Sequence, residues 1–134
     1  YQESVYPDAL AVGEGRRLSA PHVIDLDPTT VCDLACPECI SSSVLHTGQI
    51  GRDRIETLAE ELAASAVRAV ILIGGGEPLL HRSIGTVIDT LYGAGIEIGL
   101  VTNGTMINRY LDPLAEKVSW VRVSMDAGTE ETYP

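Results

Sequence analysis

With 134 residues, 45% of them apolar and 21% charged, the chain is long enough for one globular domain with a real core. No run approaches the roughly 18 consecutive apolar residues of a membrane span, and Tyr1-Gln2-Glu3-Ser4 lacks the basic-then-apolar order of a secretory signal. The formal charge of −10, with Lys and Arg scattered, offers no basic stripe for nucleic acid, so the acidic residues read as solvated helix faces.

Residues 1–21 carry Pro7, Gly13 and Gly15 without a clean period and read as an irregular lead-in to one folded unit over 22–134. His22–Asp27 reads as a short strand stopped by Pro28, and a cysteine-bearing loop follows. After the polar stretch Ser41–Gly51, a helix is expected with Asp53 as N-cap and Glu56 three residues on, a capping box. Its apolar stripe is Ile55, Leu58, Ala59, Leu62 and Ala66. Val70–Ile73 is an uninterrupted apolar run, the pattern of a strand buried on both faces, and ends in Gly74-Gly75-Gly76-Glu77-Pro78. Ser83 is the expected cap of a second helix with Ile84, Val87, Ile88 and Leu91 on one face, stopped by Gly93 and Gly95. Ile96–Val101 reads as a third strand ending in Thr102-Asn103-Gly104. A broken helical patch from about Met106 to Lys117 is interrupted at Asp112-Pro113, and Trp120–Met125 reads as a fourth strand before Asp126-Ala127-Gly128.

Strand and helix alternate throughout, which requires parallel strands joined by right-handed crossovers. The result is α/β: either a doubly wound sheet or part of a barrel. Both place chemistry in the loops after the carboxyl ends of strands. Every unusual loop in this chain occupies such a position.

The three cysteines, Cys32, Cys36 and Cys39, are spaced C-x3-C-x2-C. An odd number of crowded thiols makes a poor disulfide framework but a good chelate for a soft metal or an iron–sulfur cluster. Three thiolates leave one iron of a 4Fe–4S cluster open. Small buried hydrophobes, half a zinc ribbon and a thioredoxin-like redox pair are the competing readings. A ribbon needs a second pair, a redox pair leaves Cys32 unexplained, and His22 and His46 lie in no recognisable ligand spacing. Thiols clustered without an export segment point to a reducing cytoplasm.

Gly74-Gly75-Gly76 is either a tight strand-to-helix turn or a place where backbone approaches a ligand. It is no phosphate loop, because the G-x-x-x-x-G-K-[ST] order is absent and Glu77 would repel phosphate. A carboxylate there suits a ligand with an ammonium group. His81 reads as a capping or surface residue, Met125 as core, and Asp25 and Asp27 either as a polar lining or as solvated residues at a strand end.

Taken together, Thr30-Val31-Cys32-Asp33-Leu34-Ala35-Cys36, Cys39, Gly75-Gly76-Glu77-Pro78, Thr102-Asn103-Gly104 and Val123-Ser124-Met125-Asp126 resemble the radical S-adenosylmethionine (radical SAM) superfamily, from about His22 to the last residue. The resemblance implies a partial (β/α)6 TIM-like barrel of which this chain holds about four units, with the C-terminal units missing. Four units alone would leave an unpaired parallel edge, an aggregation liability, so the chain is expected to be a segment of a longer enzyme. The resemblance further implies a 4Fe–4S cluster on Cys32, Cys36 and Cys39, with S-adenosylmethionine chelating the fourth iron. Reductive cleavage of the cofactor would yield a 5′-deoxyadenosyl radical that abstracts hydrogen from substrate. Gly75, Gly76 and Pro78 would form the turn facing the methionyl group, Glu77 would sit near its ammonium, and Asn103 and Ser124 would contact the methionine or ribose. The residue before the third cysteine, usually aromatic in this family, is Glu38, which leaves only its backbone for the adenine.

The expected substrate is a small-molecule metabolite, since the short lead-in leaves little room for a peptide-recognition domain. A peptide-modifying maturase is the alternative, and a zinc-stabilised binding module without catalysis is the reading from another class. The expected partners are the substrate and an external electron donor such as flavodoxin or ferredoxin, with no nucleic acid and no membrane.

Overall fold

Four strands alternate with helical segments in the computed structural model, which describes residues 20–125, 127–129 and 131–132. The expected lead-in, apart from 20 and 21, lies outside these residues, as does Asp126. The strands are β1 (Val23–Leu26), β2 (Ala69–Leu72), β3 (Glu97–Thr102) and β4 (Trp120–Val123). The helices are α1 (Arg52–Ala63), α2 (Ile84–Gly93) and α3 (Leu111–Lys117), with short 3-10 turns at Pro78–Leu80 and Ile107–Arg109.

All pairings are parallel and the strand order is β1-β2-β3-β4. A doubly wound sheet reverses its order at a switch point and covers both faces with helices. Here the order is sequential and α1 packs on α2, and α2 on α3. That is the winding of a barrel. Register puts Ile24, Val70 and Ile98 in one row and Leu26, Leu72 and Leu100 in another. Val70, Leu72, Ile98 and Leu100 are fully buried against Ile55 and Ala59 of α1 and Val87, Ile88 and Leu91 of α2. The alternate row, Asp25–Ile71–Gly99–Trp120, lies on the opposite face, away from the helices that cover the Val70 and Leu72 rows. A side chain at Gly99 would collide with the Trp120 indole, so glycine there makes room for that ring.

Several local expectations are corrected. No capping box forms at α1: Gly51 is the cap residue, Asp53 lies inside the first turn, and Glu56 is taken by Arg52 at 3.1 Å. Ala66 falls beyond the helix. The Ser65 hydroxyl donates to Leu62 O at 2.6 Å and accepts from Val67 N, a local alternative that ends the helix before Ala66. The Ser83 hydroxyl makes no cap bond to α2. The end of α2 is a Schellman turn, with Gly95 at φ +75°, Gly95 N bonded to Tyr92 O and Ile96 N to Leu91 O. The break in the third helical region falls at Tyr110 rather than Pro113, which sits in the first turn of α3 where its missing N–H costs nothing. Met125 is 73% exposed rather than core, since it lies past the end of β4 and no described helix covers that strand.

His81 is buried and ties the start of α2 to the loop before α1. Its Nδ1 accepts from Ser83 N at 3.2 Å, which leaves the proton on Nε2, 2.8 Å from Ile50 O. His81→Ala strands both partners and should destabilise the fold by about 1–3 kcal/mol in denaturant titration. Asp53→Ala, with no cap bond to lose, should cost under about 1 kcal/mol. The reverse ranking would restore the capping box and reduce His81 to packing.

Candidate functional site

The loop between β1 and α1 is closed at its base by hydrogen bonding around Thr30. Thr30 N donates to Gly48 O (2.9 Å), Gly48 N to Thr30 Oγ1 (2.9 Å) and His46 N to Thr30 O (2.8 Å). Ile50 N donates to Pro28 O at 3.0 Å. His46 takes a left-handed conformation, φ 58°, to make this closure. The cysteines lie within the closed loop, half-buried and not joined in a disulfide. Cys39 N bonds to Cys36 O and Ser42 N to Cys39 O, so successive tight turns shape the distal part.

The glycine turn presses directly on the approach to Cys32. A Cβ on Gly74 would overlap the Asp27 carboxylate, and one on Gly76 would overlap Val31 O and come within 2.7 Å of Thr29 O. Gly75 has ordinary room. Asp27, left open by the sequence, accepts from Gly75 N (2.8 Å) and Thr29 N (3.2 Å). Glu77 N donates to Val31 O at 2.8 Å. Gly74 and Gly76 are therefore required by contact between two loops, whatever else they meet.

The Glu77 carboxylate is 1% exposed and turned into the protein. Oε1 accepts from Leu79 N (3.0 Å) and Thr102 Oγ1 (2.8 Å), and Oε2 from Asn103 N (2.6 Å). Pro78 is buried behind it in the 3-10 turn. Cys32, Gly74, Gly76, Glu77, Asn103 and Ser124 all border one cavity of about 130 Å³, walled on its apolar side by Ile73 and Val101. Cys36, Cys39, Gly75, Pro78 and Glu38 do not border it. Glu38 is exposed on the cysteine loop.

Two residues that the sequence did not single out complete the site. Asp33 accepts from Asn103 Nδ2 (2.8 Å) and Thr105 Oγ1 (2.6 Å). Burial acts to raise the Asp33 pKa, but the hydrogen bonds from Thr105 and Asn103 outweigh it and leave the carboxyl below its ordinary value. The stabilisation is present above the unfolded carboxyl pKa and is lost as pH falls through the lowered folded one. No local signal marks this pair, because its partners lie 70 and 72 residues apart.

The donor set fits an iron–sulfur group: three cysteines outside any disulfide on one loop, one of them opening on a cavity with polar neighbours. Among the described residues no three His, Cys, Asp or Glu side chains gather as a single ion needs. Thiolates bound to separate irons of a cluster need not share one point. No helix among the described residues is long and apolar enough to cross a membrane.

The chain is 36% identical over 133 residues to a GTP 3′,8-cyclase from Rhodobacter capsulatus, covering 95% of this chain and 38% of that protein. It thus spans less than half the length of the relatives it matches. Among solved structures, BtrN in complex with AdoMet and 2-DOIA superimposes with a TM-score of 0.65 at 23% identity, over 81% of this chain and 47% of BtrN. Streptococcus suis SuiB bound to precursor peptide SuiA gives 0.66 at 19% identity, over 92% and 28%. These likenesses support the barrel winding of the sheet. Residues 26–134, the stretch that carries the cysteine loop, the glycine turn and the ends of β3 and β4, match the radical SAM superfamily, and the chain belongs to that family.

Proposed function

We propose that this chain is the cofactor-binding portion of a radical SAM enzyme, with Cys32, Cys36 and Cys39 each holding one iron of a 4Fe–4S cluster and the methionyl end of S-adenosylmethionine meeting the small cavity beside Cys32. The observation that carries this reading is that cavity, where a thiol shares one space with Gly76 and the polar Asn103 and Ser124. Bound together, the cluster and S-adenosylmethionine supply reductive cleavage of a C–S bond and a 5′-deoxyadenosyl radical that takes hydrogen from an unactivated carbon. The protein's share is positioning and shielding. Gly74 and Gly76 let the turn close on the cysteine loop, Ile73 and Val101 present apolar walls that keep water from the reactive carbon, and the Ser124 hydroxyl is a polar contact for the ligand.

The substrate in this reading is a small molecule. The supporting facts are the similarity to a GTP 3′,8-cyclase and the BtrN complex, which holds 2-DOIA. The SuiB complex with a precursor peptide favours a peptide substrate as the second reading. An external one-electron donor of the flavodoxin or ferredoxin type would reduce the cluster, and the reducing cytoplasm is the compartment proposed for it.

The test needs no substrate. The full-length protein, reconstituted anaerobically, should form 5′-deoxyadenosine and methionine only when reductant, cluster and S-adenosylmethionine are all present. S-adenosylhomocysteine as the sole product would mean methyl transfer instead. An intact cluster with bound cofactor and no cleavage under any reductant would leave a binding role.

A further inference from the structure

We propose that Asn103 is a positioning residue that latches the cysteine loop to the end of β3 and, through its hydrogen bond to the Cys32 sulfur, sets the reduction potential of the cluster. The inference rests on the cluster reading above.

A side-chain amide has two N–H donors and one carbonyl acceptor. Both donors of Asn103 are committed: Nδ2 gives one to Asp33 Oδ1 at 2.8 Å and one to Cys32 Sγ at 3.8 Å, within reach of the larger sulfur atom. Oδ1 accepts from Thr105 N at 3.0 Å. The Thr105 hydroxyl has one proton for two acceptors, Asp33 Oδ2 at 2.6 Å and Asn103 Oδ1 at 2.8 Å. The charged and nearer carboxylate takes it. These partners also fix the amide's orientation. Turned over, Oδ1 would face the Asp33 carboxylate and Nδ2 would face the Thr105 N–H, two repulsive pairs in place of two bonds. Meanwhile Asn103 N is held by Glu77 Oε2. One residue thus joins the cysteine loop, the glycine turn and β3, and its N–H groups are spent on protein rather than on a ligand.

A hydrogen bond to a cluster sulfur stabilises the more negative, reduced state and raises the potential. Cys32 is the ligand that receives this bond, and Asp33, adjacent in the chain, aims the donor. The two roles are linked: the carboxylate that pins the loop also holds the amide against the thiolate.

The test uses the full-length protein and two measurements. In EPR-monitored redox titration, Asn103→Ala should lower the ratio of reduced to oxidised cluster about tenfold at a fixed poise, a shift of about 59 mV to more negative potential. Asp33→Ala, which leaves the amide in place but unaimed, should shift it the same way by less. In protein kept free of iron, amide hydrogen exchange at 32–36 should quicken at least tenfold in both variants, a readout that does not require a cluster. Faster exchange with an unmoved potential overturns the tuning role, and unchanged exchange overturns the latch. If the wild-type protein forms no cluster, the reading of the cysteines fails separately, and the exchange experiment still decides the latch.

Discussion

Single replacement of Cys32, Cys36 or Cys39 by Ala should empty the site, taking the anaerobically reconstituted full-length protein from about four irons and four sulfides to a small residue of each. The size of the effect follows from the ligand count. Three thiolates already leave one iron open, and two on a short loop cannot hold the remainder. The fold should survive this loss, because the loop is closed at Thr30, Gly48 and His46 by bonds that use no cysteine. Iron and acid-labile sulfide analysis, with far-ultraviolet circular dichroism on the same samples, reads both. Stoichiometric zinc without sulfide in the native protein would sink the cluster reading in favour of a metal-stabilised binding module.

Glu77→Gln should mainly destabilise the fold. The carboxylate accepts from Leu79 N, Thr102 Oγ1 and Asn103 N, all donors. An amide in its place must put an NH₂ group against one of them. Losing a charge-assisted bond and burying an unpaired donor costs about 1.5–3 kcal/mol, roughly ten- to a hundred-fold in the folding constant. Because Asn103 hangs on the same carboxylate, S-adenosylmethionine affinity should fall as well. Equilibrium denaturation separates this from a direct contact. Weakened cofactor binding with unchanged stability would assign the carboxylate to the cofactor's ammonium group, as the family resemblance implied.

Element types and their order were legible in the sequence because hydrophobic period is a local property. The Ile84, Val87, Ile88, Leu91 stripe announces a buried helix without reference to the rest of the chain. The Val70–Ile73 run announces a strand, but not its burial on both faces, since Val70 and Leu72 are buried while Ile71 and Ile73 are only half-buried. Gly95 as a helix stop was legible for the same reason. Caps were less so. Asp53 and Glu56 satisfy the capping-box spacing, but Gly51 starts the helix and Arg52 claims Glu56. Met125 fails differently: its burial depends on whether something covers β4, which its own alternation does not reveal.

The sequence by itself determined the cysteine spacing, the glycine-glutamate-proline turn and the positions of both at carboxyl ends of strands, since parallel alternation leaves those loops on one face. The strand–helix pattern left doubly wound sheet and barrel open; the family resemblance implied the barrel, and the sequential order of β1 to β4 in the tertiary structure bears it out. Only the tertiary structure decided what the conspicuous side chains do. Glu77 and Asn103 turn toward other loops, Asp27 seats the glycine turn, and Asp33 and Thr105 enter the site from 72 residues apart. Short-range spacing records which groups a loop carries. Which of them are spent on holding loops together is settled by hydrogen bonds closed between distant segments, once packing has brought donor and acceptor within about 3 Å.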